Sequence, residues 1–369
     1  LQAQGVRRVT GDMVLDNSIF EDTGRDPAAF DGEPLRPYNA TPDGLLVNFK
    51  ALILKFVPQV DGGVAQVLSE PPLAGVQVDA SVPVVRRACG DWQGALQADF
   101  SDPARVRFQG AYPTGCGERA WPVAYVEPAS YAARALRALF LAAGGTLDGQ
   151  VRHGAVPRTA RPLMAFDSLP LAEVIADVNK FSNNVMAQQV FLTLGAQRQP
   201  PGSMASARDA LQAWWHRFMG KETPAPVVDN GAGLSRDERI RTSALGRMLQ
   251  RAAAHAEAVT FQQSMSLAGV DGTAVRLRDR GLAPSAIGQV WLKTGSLRDV
   301  ASIAGYATGR SGRRYVVVGM VNHANAQAAR AALDLLLEWT VTERWESDRS
   351  SASEQQAHAL PVSARHPPQ

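Results

Sequence analysis

The sequence predicts an α+β protein, and three observations in chain order support this fold class. Short strand-like segments separated by Gly, Pro and Asp fill the first third of the chain and end near Val126. Amphipathic segments follow, with apolar residues at the i, i+3, i+4 and i+7 spacing of a helix. Three more strand segments then precede a last helix, so we expect an antiparallel sheet with that helix packed on it.

The first strand segments are rich in branched apolar residues and are bounded by turn-forming residues. Strict alternation of polar and apolar side chains is clearest in Arg105–Phe108. The other candidate strands of this part cover residues 45–56, 64–68, 82–85 and 96–100. These segments predict a β-rich module over residues 1–125.

Helices are predicted next, from apolar periodicity and from residues that begin or end helices. An Ala- and Leu-rich run opens after Pro128 and closes at Gly144 and Gly145. A third helix is expected to end at Gly195 and a fourth at Gly220, and Thr242 is expected to cap a fifth. The second helix carries one apolar stripe that we expect to face the core, formed by Leu171, Val174, Ile175 and Val178.

The end of the chain predicts a meander of three strands, at residues 289–293, 301–308 and 315–321. Gly309–Gly312 has the composition of a hairpin turn between the last two. A final helix follows, with Leu333, Leu336 and Leu337 on one face. Residues 346–369 are polar and without periodicity, which predicts a disordered tail.

Composition excludes several classes of protein. The 369 residues are 45% hydrophobic and 20% charged, as in ordinary globular domains. No apolar stretch approaches the roughly 18 residues of a membrane span. The formal charge is only +3, which argues against a nucleic-acid partner. Lysine is scarce among the 38 basic residues, so a lysine-dependent mechanism has only these candidates: Lys50, Lys55, Lys180, Lys221 and Lys293.

The two cysteines, Cys89 and Cys116, suit either one disulfide or two unrelated buried thiols, and their spacing alone leaves both open. The six histidines form no group at ligand spacing, either with each other or with the cysteines. We therefore predict no metal site, and nothing in the sequence calls for a cofactor.

The segment Lys293-Thr294-Gly295-Ser296 ends a predicted strand and has a chemical logic. The ammonium supplies a fixed positive charge, the threonine hydroxyl can hold a carboxylate, and the glycine lets a substrate backbone approach the strand. A plain strand end followed by a turn has the same composition. The segment Ser182-Asn183-Asn184 lies between two predicted helices, where a simple helix cap would also use Ser and Asn.

Together the two segments follow the order Ser-x-x-Lys, Ser-Asp-Asn, Lys-Thr-Gly of serine β-lactamases and penicillin-binding proteins. Further blocks of the chain resemble the D-alanyl-D-alanine carboxypeptidase/endopeptidase family, the class C low-molecular-mass penicillin-binding proteins. The similarity extends from about Gln4 to about Val341. The blocks, in chain order, are Arg7–Asp12, Tyr38–Ala40, Asp229–Arg236, Leu267–Thr273 and Lys293–Leu297.

This resemblance implies a β-lactamase/transpeptidase-like catalytic domain, interrupted by a large β-rich insertion. Residues 1–125 would be part of that inserted module, and residues 126–345 the returning catalytic domain. It also implies a periplasmic enzyme that acts on peptidoglycan stem peptides and binds β-lactams. An oxidising compartment would favour a disulfide between Cys89 and Cys116.

The resemblance also implies roles for individual side chains. Ser182 would relay a proton to the leaving amine, and Asn184 would hold the amide of the substrate. Lys293 would supply the electrostatic field and assist proton transfer. Thr294 and Ser296 would bind a terminal carboxylate, and the backbone after Gly295 would help to form an oxyanion hole. Arg236 would contact the stem peptide, although a structural role suits it equally well.

The family's nucleophile is the serine of Ser-x-x-Lys, yet no lysine of this sequence has a serine three positions earlier. We expect that the chain is incomplete at its N-terminus, that a preceding segment carries the nucleophile and a signal peptide, and that this chain alone is inactive. The alternative is a non-catalytic module that binds peptidoglycan or another cell-wall protein.

Overall fold

The structure is a computed structural model that describes residues 1–344, and it forms two compact units. The first unit contains Leu1–Asp167, Asn184–Ala213 and Val228–Glu238. The second contains Ser168–Asn183, Trp214–Val227 and, among the described residues, 239–344. The boundaries of the domains predicted at 1–125 and 126–345 stay predictions, and the predicted tail at 346–369 lies outside the described residues.

The first unit holds twelve of the strands that the structure describes. Most are short. They lie in segments of alternating polar and apolar residues or of branched apolar residues, and Gly, Pro or Asp bounds these segments. They are β1 Arg8–Val9, β2 Met13–Leu15, β3 Ala51–Gln59, β4 Val64–Glu70, β5 Gln77–Val78, β6 Ser81–Val85, β7 Ala98–Asp102, β8 Arg105–Phe108, β9 Tyr112–Pro113, β10 Arg119–Ala124, β11 Thr146–Leu147 and β12 Val151–His153.

Nine α-helices lie within residues 1–344. The helix α5 contributes its first part to the first unit and its last turns to the second. The helices are α1 Trp92–Leu96, α2 Tyr131–Ala142, α3 Leu171–Phe181, α4 Asn184–Arg198, α5 Met204–Met219, α6 Thr242–Ala252, α7 Ala258–Ser264, α8 Arg276–Asp279 and α9 Arg330–Thr342.

The core of the first unit lies on a five-stranded sheet of order β10-β3-β4-β6-β9. Alternate residues of β3 face inward, so Leu54 and Phe56 are completely buried. Phe56 stacks on Tyr112 with ring centroids 5.4 Å apart. Cys89 and Cys116 form a disulfide beside this cluster, with Cα atoms 4.4 Å apart.

The second unit is built on an antiparallel sheet of order β13-β14-β15-β16, with β13 at Ser266–Leu267, β14 at Val290–Leu297, β15 at Val300–Thr308 and β16 at Arg314–Asn322. Period-two alternation gives the sheet two apolar faces. Leu333 and Leu337 of α9 pack on one face with Ile303. Leu249 of α6 packs on the other with Tyr306. The predicted α+β fold with an antiparallel three-strand meander and a packed final helix is confirmed, and β13 adds a short strand that the sequence analysis missed.

Several predicted element boundaries were wrong. Gly195 does not end a helix, because α4 continues to Arg198. A Cβ atom at Gly195 would lie 2.6 Å from Ser206 Oγ and 2.9 Å from the Ala207 nitrogen. The glycine therefore serves a close approach of α5 to α4, and it interrupts neither helix.

Other corrections concern the starts of elements. The strand predicted from residue 45 begins only at Ala51, because Asn48, Phe49 and Lys50 all adopt positive φ angles and break the extension. Residues 96–100 divide between α1, capped by the Asp91 carboxylate, and β7. Thr242 is the first residue of α6, and its N-cap position is Arg241.

The apolar stripe predicted on α3 is only partly buried. None of its residues is fully buried, and the Leu171 side chain is 66% exposed. The helix instead contacts α7 and the short 3-10 helix Gly272–Val275 through its last turns. Its periodicity predicted the helix correctly but not its degree of burial. Within residues 1–344, no helix combines the length and the apolar character needed to cross a membrane.

Candidate active site

The strand β14 places Lys293 on the face of the sheet that α6 covers. Alternation along the strand buries Val290 and Leu292 on the opposite face, beneath α9. Trp291 and Lys293 therefore point the other way, where Trp291 joins the cluster around Tyr306. The lysine side chain is half-buried as a result.

Ser182 lies at the end of α3, 111 residues before Lys293, and the fold brings the two side chains together. Lys293 Nζ donates a hydrogen bond to Ser182 Oγ over 2.5 Å, and a second one to the Thr294 carbonyl over 2.8 Å. Ser182 follows the last helical residue and adopts a left-handed conformation, with φ at 57°. A residue other than glycine is strained there, and such strain is concentrated at functional sites.

Burial sets the electrostatics of this pair. Removal of the Lys293 ammonium from water disfavours its charged form and lowers the pKa of Lys293 to about 8. Among the described residues, no carboxylate lies within ion-pair distance of Lys293. The ammonium therefore has a hydroxyl as its side-chain partner, and its proton is held less tightly than that of an ordinary lysine.

Contacts at the last turn of α3 hold Ser182 in place. Lys180 forms an ion pair with Asp271, and its ammonium lies 5.6 Å from the centre of the Trp291 ring. The carbonyl of Lys180 accepts a hydrogen bond of 3.3 Å from Ser266 Oγ. These contacts with the segment around β13 and β14 thus fix the position of the turn that carries Ser182.

Gly272 makes this close packing of α3 against β13 possible. It has a φ of 53°, and a Cβ atom there would lie 2.3 Å from Ser266 Oγ and 2.6 Å from the Lys180 carbonyl oxygen. Any other residue would push α3 away from β13. The site therefore depends on the block Leu267–Thr273 as well as on the residues that carry the chemistry.

The strand β14 presents an open edge beside Lys293. One edge pairs with β15 along all eight residues, but the other pairs with β13 only at Trp291 and Leu292. Within residues 1–344, no strand covers that second edge from Lys293 to Leu297. An extended peptide could therefore add to the sheet there through backbone hydrogen bonds.

Gly295 makes room for its cross-strand neighbour on β15, because a Cβ atom at this position would lie 2.4 Å from Ser302 Oγ. Its neighbours have partners of their own. The hydroxyl oxygens of Thr294 and Thr273 lie 3.3 Å apart. Ser296 Oγ accepts a hydrogen bond of 2.7 Å from Arg330.

Two residues of the predicted site, Asn184 and Arg236, belong to the first unit. The Asn184 side chain donates to the Ala232 carbonyl over 2.8 Å. The Arg236 guanidinium lies 5.3 Å from the centre of the Phe30 ring. The structure thus brings Ser182 and Lys293 together within one unit, and it leaves the roles predicted for Asn184 and Arg236 as predictions.

The sequence analysis missed several residues that surround the pair. Asp271 and Thr273 lie in a block that carried the family resemblance, so a signal existed, although no role was assigned to them. Arg330 gave no signal, because it lies in an unremarkable Ala-rich run at the start of the last helix. Its nearness to Ser296 is a product of the fold alone.

Comparison with known proteins agrees with this fold and identifies a family. The model of the D-Ala-D-Ala carboxypeptidase 3 (S13) family matches residues 1–341, so the chain belongs to that family. The family resemblance drawn from the sequence blocks is thereby confirmed.

Two curated relatives carry related names. The chain is 24% identical to the D-alanyl-D-alanine carboxypeptidase DacB of Haemophilus influenzae, over 87% of this chain and 67% of that protein. It is 25% identical to the D-alanyl-D-alanine carboxypeptidase of an Actinomadura species, over 90% of this chain and 63% of that protein. The matches thus span only about two thirds of the length of these relatives.

The fold is similar to that of a solved protein. The crystal structure of penicillin binding protein 4 from Haemophilus influenzae matches with a TM-score of 0.68 at 21% identity, over 88% of this chain and 71% of that one. A structure of the same protein in complex with a β-lactam matches with a TM-score of 0.63, over 87% and 69% of the two chains.

Proposed function

We propose that the chain carries the substrate-binding and proton-transfer groups of a periplasmic serine-type D-alanyl-D-alanine carboxypeptidase/endopeptidase. Its substrates would be peptidoglycan stem peptides and cross-links. They would be cleaved through an acyl-enzyme on a serine that penicillin also acylates. The contact between Ser182 and Lys293 beside the open edge of β14 is the observation that carries this proposal. Family membership and the names of the relatives support it.

The geometry suits transfer of a proton to a leaving amine. The Lys293 ammonium donates to Ser182 Oγ, so the hydroxyl hydrogen of Ser182 is free to point at the substrate. When Ser182 gives that proton to the departing nitrogen of D-Ala, Lys293 replaces it. A lysine with a pKa of about 8 gives up its proton more readily at neutral pH than an ordinary lysine.

The edge of β14 suits an extended peptide that ends in a carboxylate. Backbone groups of residues 293–297 would pair with the peptide, and Gly295, which has no side chain, would let it approach closely. Thr294 and Ser296 would donate hydrogen bonds to the carboxylate, next to the positive charge of Lys293. In this proposal Asn184 holds the substrate amide and Arg236 contacts the stem peptide.

Reversible binding of N-acetyl-D-Ala-D-Ala, measured by NMR titration or calorimetry, tests this proposal without requiring turnover. We expect Lys293→Ala to weaken binding by about tenfold or more, since it removes a charge-assisted contact. The matched control is Lys221→Ala, which removes an exposed lysine and should leave affinity unchanged. Absence of binding to the unaltered chain, or equal effects of the two variants, would overturn the proposal.

The acyl-enzyme step needs a serine activated by a lysine, and this sequence contains no Ser-x-x-Lys. We therefore expect no stable label when this chain is incubated with a fluorescent penicillin. A protein extended upstream in its reading frame to include such a motif should label one-to-one, and Lys293→Ala should slow that labelling by about 10²-fold or more. A stoichiometric label on the shorter chain would show that a serine within it is the nucleophile.

The missing motif also favours a second candidate function, a non-catalytic module that binds peptidoglycan or another cell-wall protein. In that case the protein would sediment with purified peptidoglycan, and the extended protein would still fail to bind penicillin covalently. Covalent labelling of the extended protein would exclude this alternative.

A further inference from the structure

Arg330 lies beside the proposed carboxylate-binding end of β14. It is the first residue of α9, and its Nη2 donates to Ser296 Oγ over 2.7 Å. Gln327, one turn earlier, donates to the carbonyls of Leu297 and Val300 and so fixes the hairpin that follows β14. The start of α9 is thus anchored to the same strand end that carries Ser296.

The charge of Arg330 is not neutralised by a neighbour. Among the described residues, its one hydrogen-bond partner is Ser296, and no carboxylate lies within ion-pair distance. Arg280, in contrast, makes a two-pronged ion pair with Asp334 at 2.8 and 2.6 Å. A guanidinium has five N–H donors in a fixed fork, so most of those of Arg330 remain available.

We propose that Arg330 binds the terminal carboxylate of the peptide that lies along β14, with Ser296 as a shared hydrogen-bond partner. This inference rests on the proposed function and adds to it a determinant for a free carboxyl terminus. A guanidinium matches a carboxylate in shape and charge, so two parallel hydrogen bonds can form. Lys293 and Arg330 would then supply positive charge at the two ends of the open edge.

A purely structural role for Arg330 predicts a different result from a recognition role. If Arg330 only orders the Ser296 side chain, its removal causes no further loss of acid binding in a Ser296→Ala protein, because the contact that it orders is already absent there. If it binds the carboxylate itself, its removal weakens acidic ligands in the Ser296→Ala protein as well, and it spares neutral ones. The experiment therefore compares N-acetyl-D-Ala-D-Ala with its C-terminal carboxamide on each variant.

We expect the unaltered chain to bind the acid more tightly than the amide. Arg330→Ala should lower affinity for the acid by about tenfold and leave the amide unchanged. Arg330→Lys keeps the charge without the fork and should recover part of the loss. The control is Arg310→Ala, which removes an exposed arginine in the turn between β15 and β16, at the other end of the sheet. Melting curves of all variants show whether each is folded.

The outcomes separate this inference from the proposed function. If the unaltered chain binds neither ligand, the proposed function fails and the inference fails with it. If it prefers the acid and Arg330→Ala retains that preference, only the inference is overturned. Equal weakening of acid and amide by Arg330→Ala, or no further loss of acid binding when Arg330→Ala is added to Ser296→Ala, assigns the residue a structural role and also overturns the inference.

Discussion

Lys55 and Lys293 both lie on antiparallel strands, but their surroundings differ. Lys55 projects from β3 into solvent and forms an ion pair of 2.7 Å with Glu118, whose hydrogen bond raises the pKa of Lys55. Lys293 is half-buried on β14, contacts a serine, and has its pKa lowered by burial. The difference shows that burial without a carboxylate partner disfavours the charged form of a lysine, whereas an exposed ion pair favours it.

Substitution of a buried residue on the inner face of β3 or β14 should destabilise the protein to a similar extent. This is the largest effect on stability that we expect. Phe56 and Leu292, each next to one of the lysines in sequence, are 0% and 1% exposed. Phe56→Ala should lower the free energy of unfolding by about 4 kcal/mol, and Leu292→Ala by about 3 kcal/mol, because each leaves a cavity. Urea denaturation measures both.

The control on the first sheet is Leu68→Ala, since Leu68 is 48% exposed on β4, opposite Lys55. It should change stability by less than about 1 kcal/mol. A loss of that size in Phe56→Ala as well would mean that the aromatic cluster around β3 can close over the cavity.

The disulfide should produce the next largest effect, and only the first sheet has one. Cys89 and Cys116 are 27 residues apart in sequence, and their disulfide closes the loop between them. Replacing both by serine should lower the free energy of unfolding by about 3 kcal/mol, because the unfolded chain regains the freedom of that loop. A reducing agent should destabilise the unaltered protein by a similar amount and have no effect on the double variant.

Much of this comparison could be predicted from the sequence. Alternation and turn residues located β8, β15 and β16 nearly to the residue, and motif order indicated that Ser182 and Lys293 serve one site. Contacts between distant segments could not be predicted in this way. The left-handed turn at Ser182, the close approach at Gly195 and the position of Arg330 all depend on how helices dock, and periodicity does not report that.

The environment of Lys293 predicts a dependence of stability on pH. Its pKa is about 8 in the folded chain and near the ordinary 10.5 when unfolded, so only the unfolded chain binds this proton between those values. The stability of the protein relative to Lys293→Met should therefore rise with pH across this window, by roughly 2 kcal/mol. Below pH 8 Lys293 is charged in the folded chain as well, so the cost of burying that charge lowers the stability of the unaltered protein relative to Lys293→Met. Denaturation at pH 7, 9 and 10 measures the trend, and a flat difference would contradict it.

Lys55 should show the smallest effect, and one of opposite sign. Glu118 raises its pKa, so the ion pair stabilises the folded chain below the ordinary lysine pKa and loses that contribution only at higher pH. Both side chains are about half exposed, and water and salt screen such pairs strongly. Lys55→Met should therefore change the melting temperature by an amount close to the error of the measurement. The stability of the unaltered protein relative to Lys55→Met should also show no rise between pH 8 and 10. Lys55 is exposed and paired with Glu118, so it does not carry the burial penalty that Lys293 carries. A pH trend like that of Lys293→Met would mean that a lysine on either strand behaves alike, and the distinction between the two sheets would then disappear.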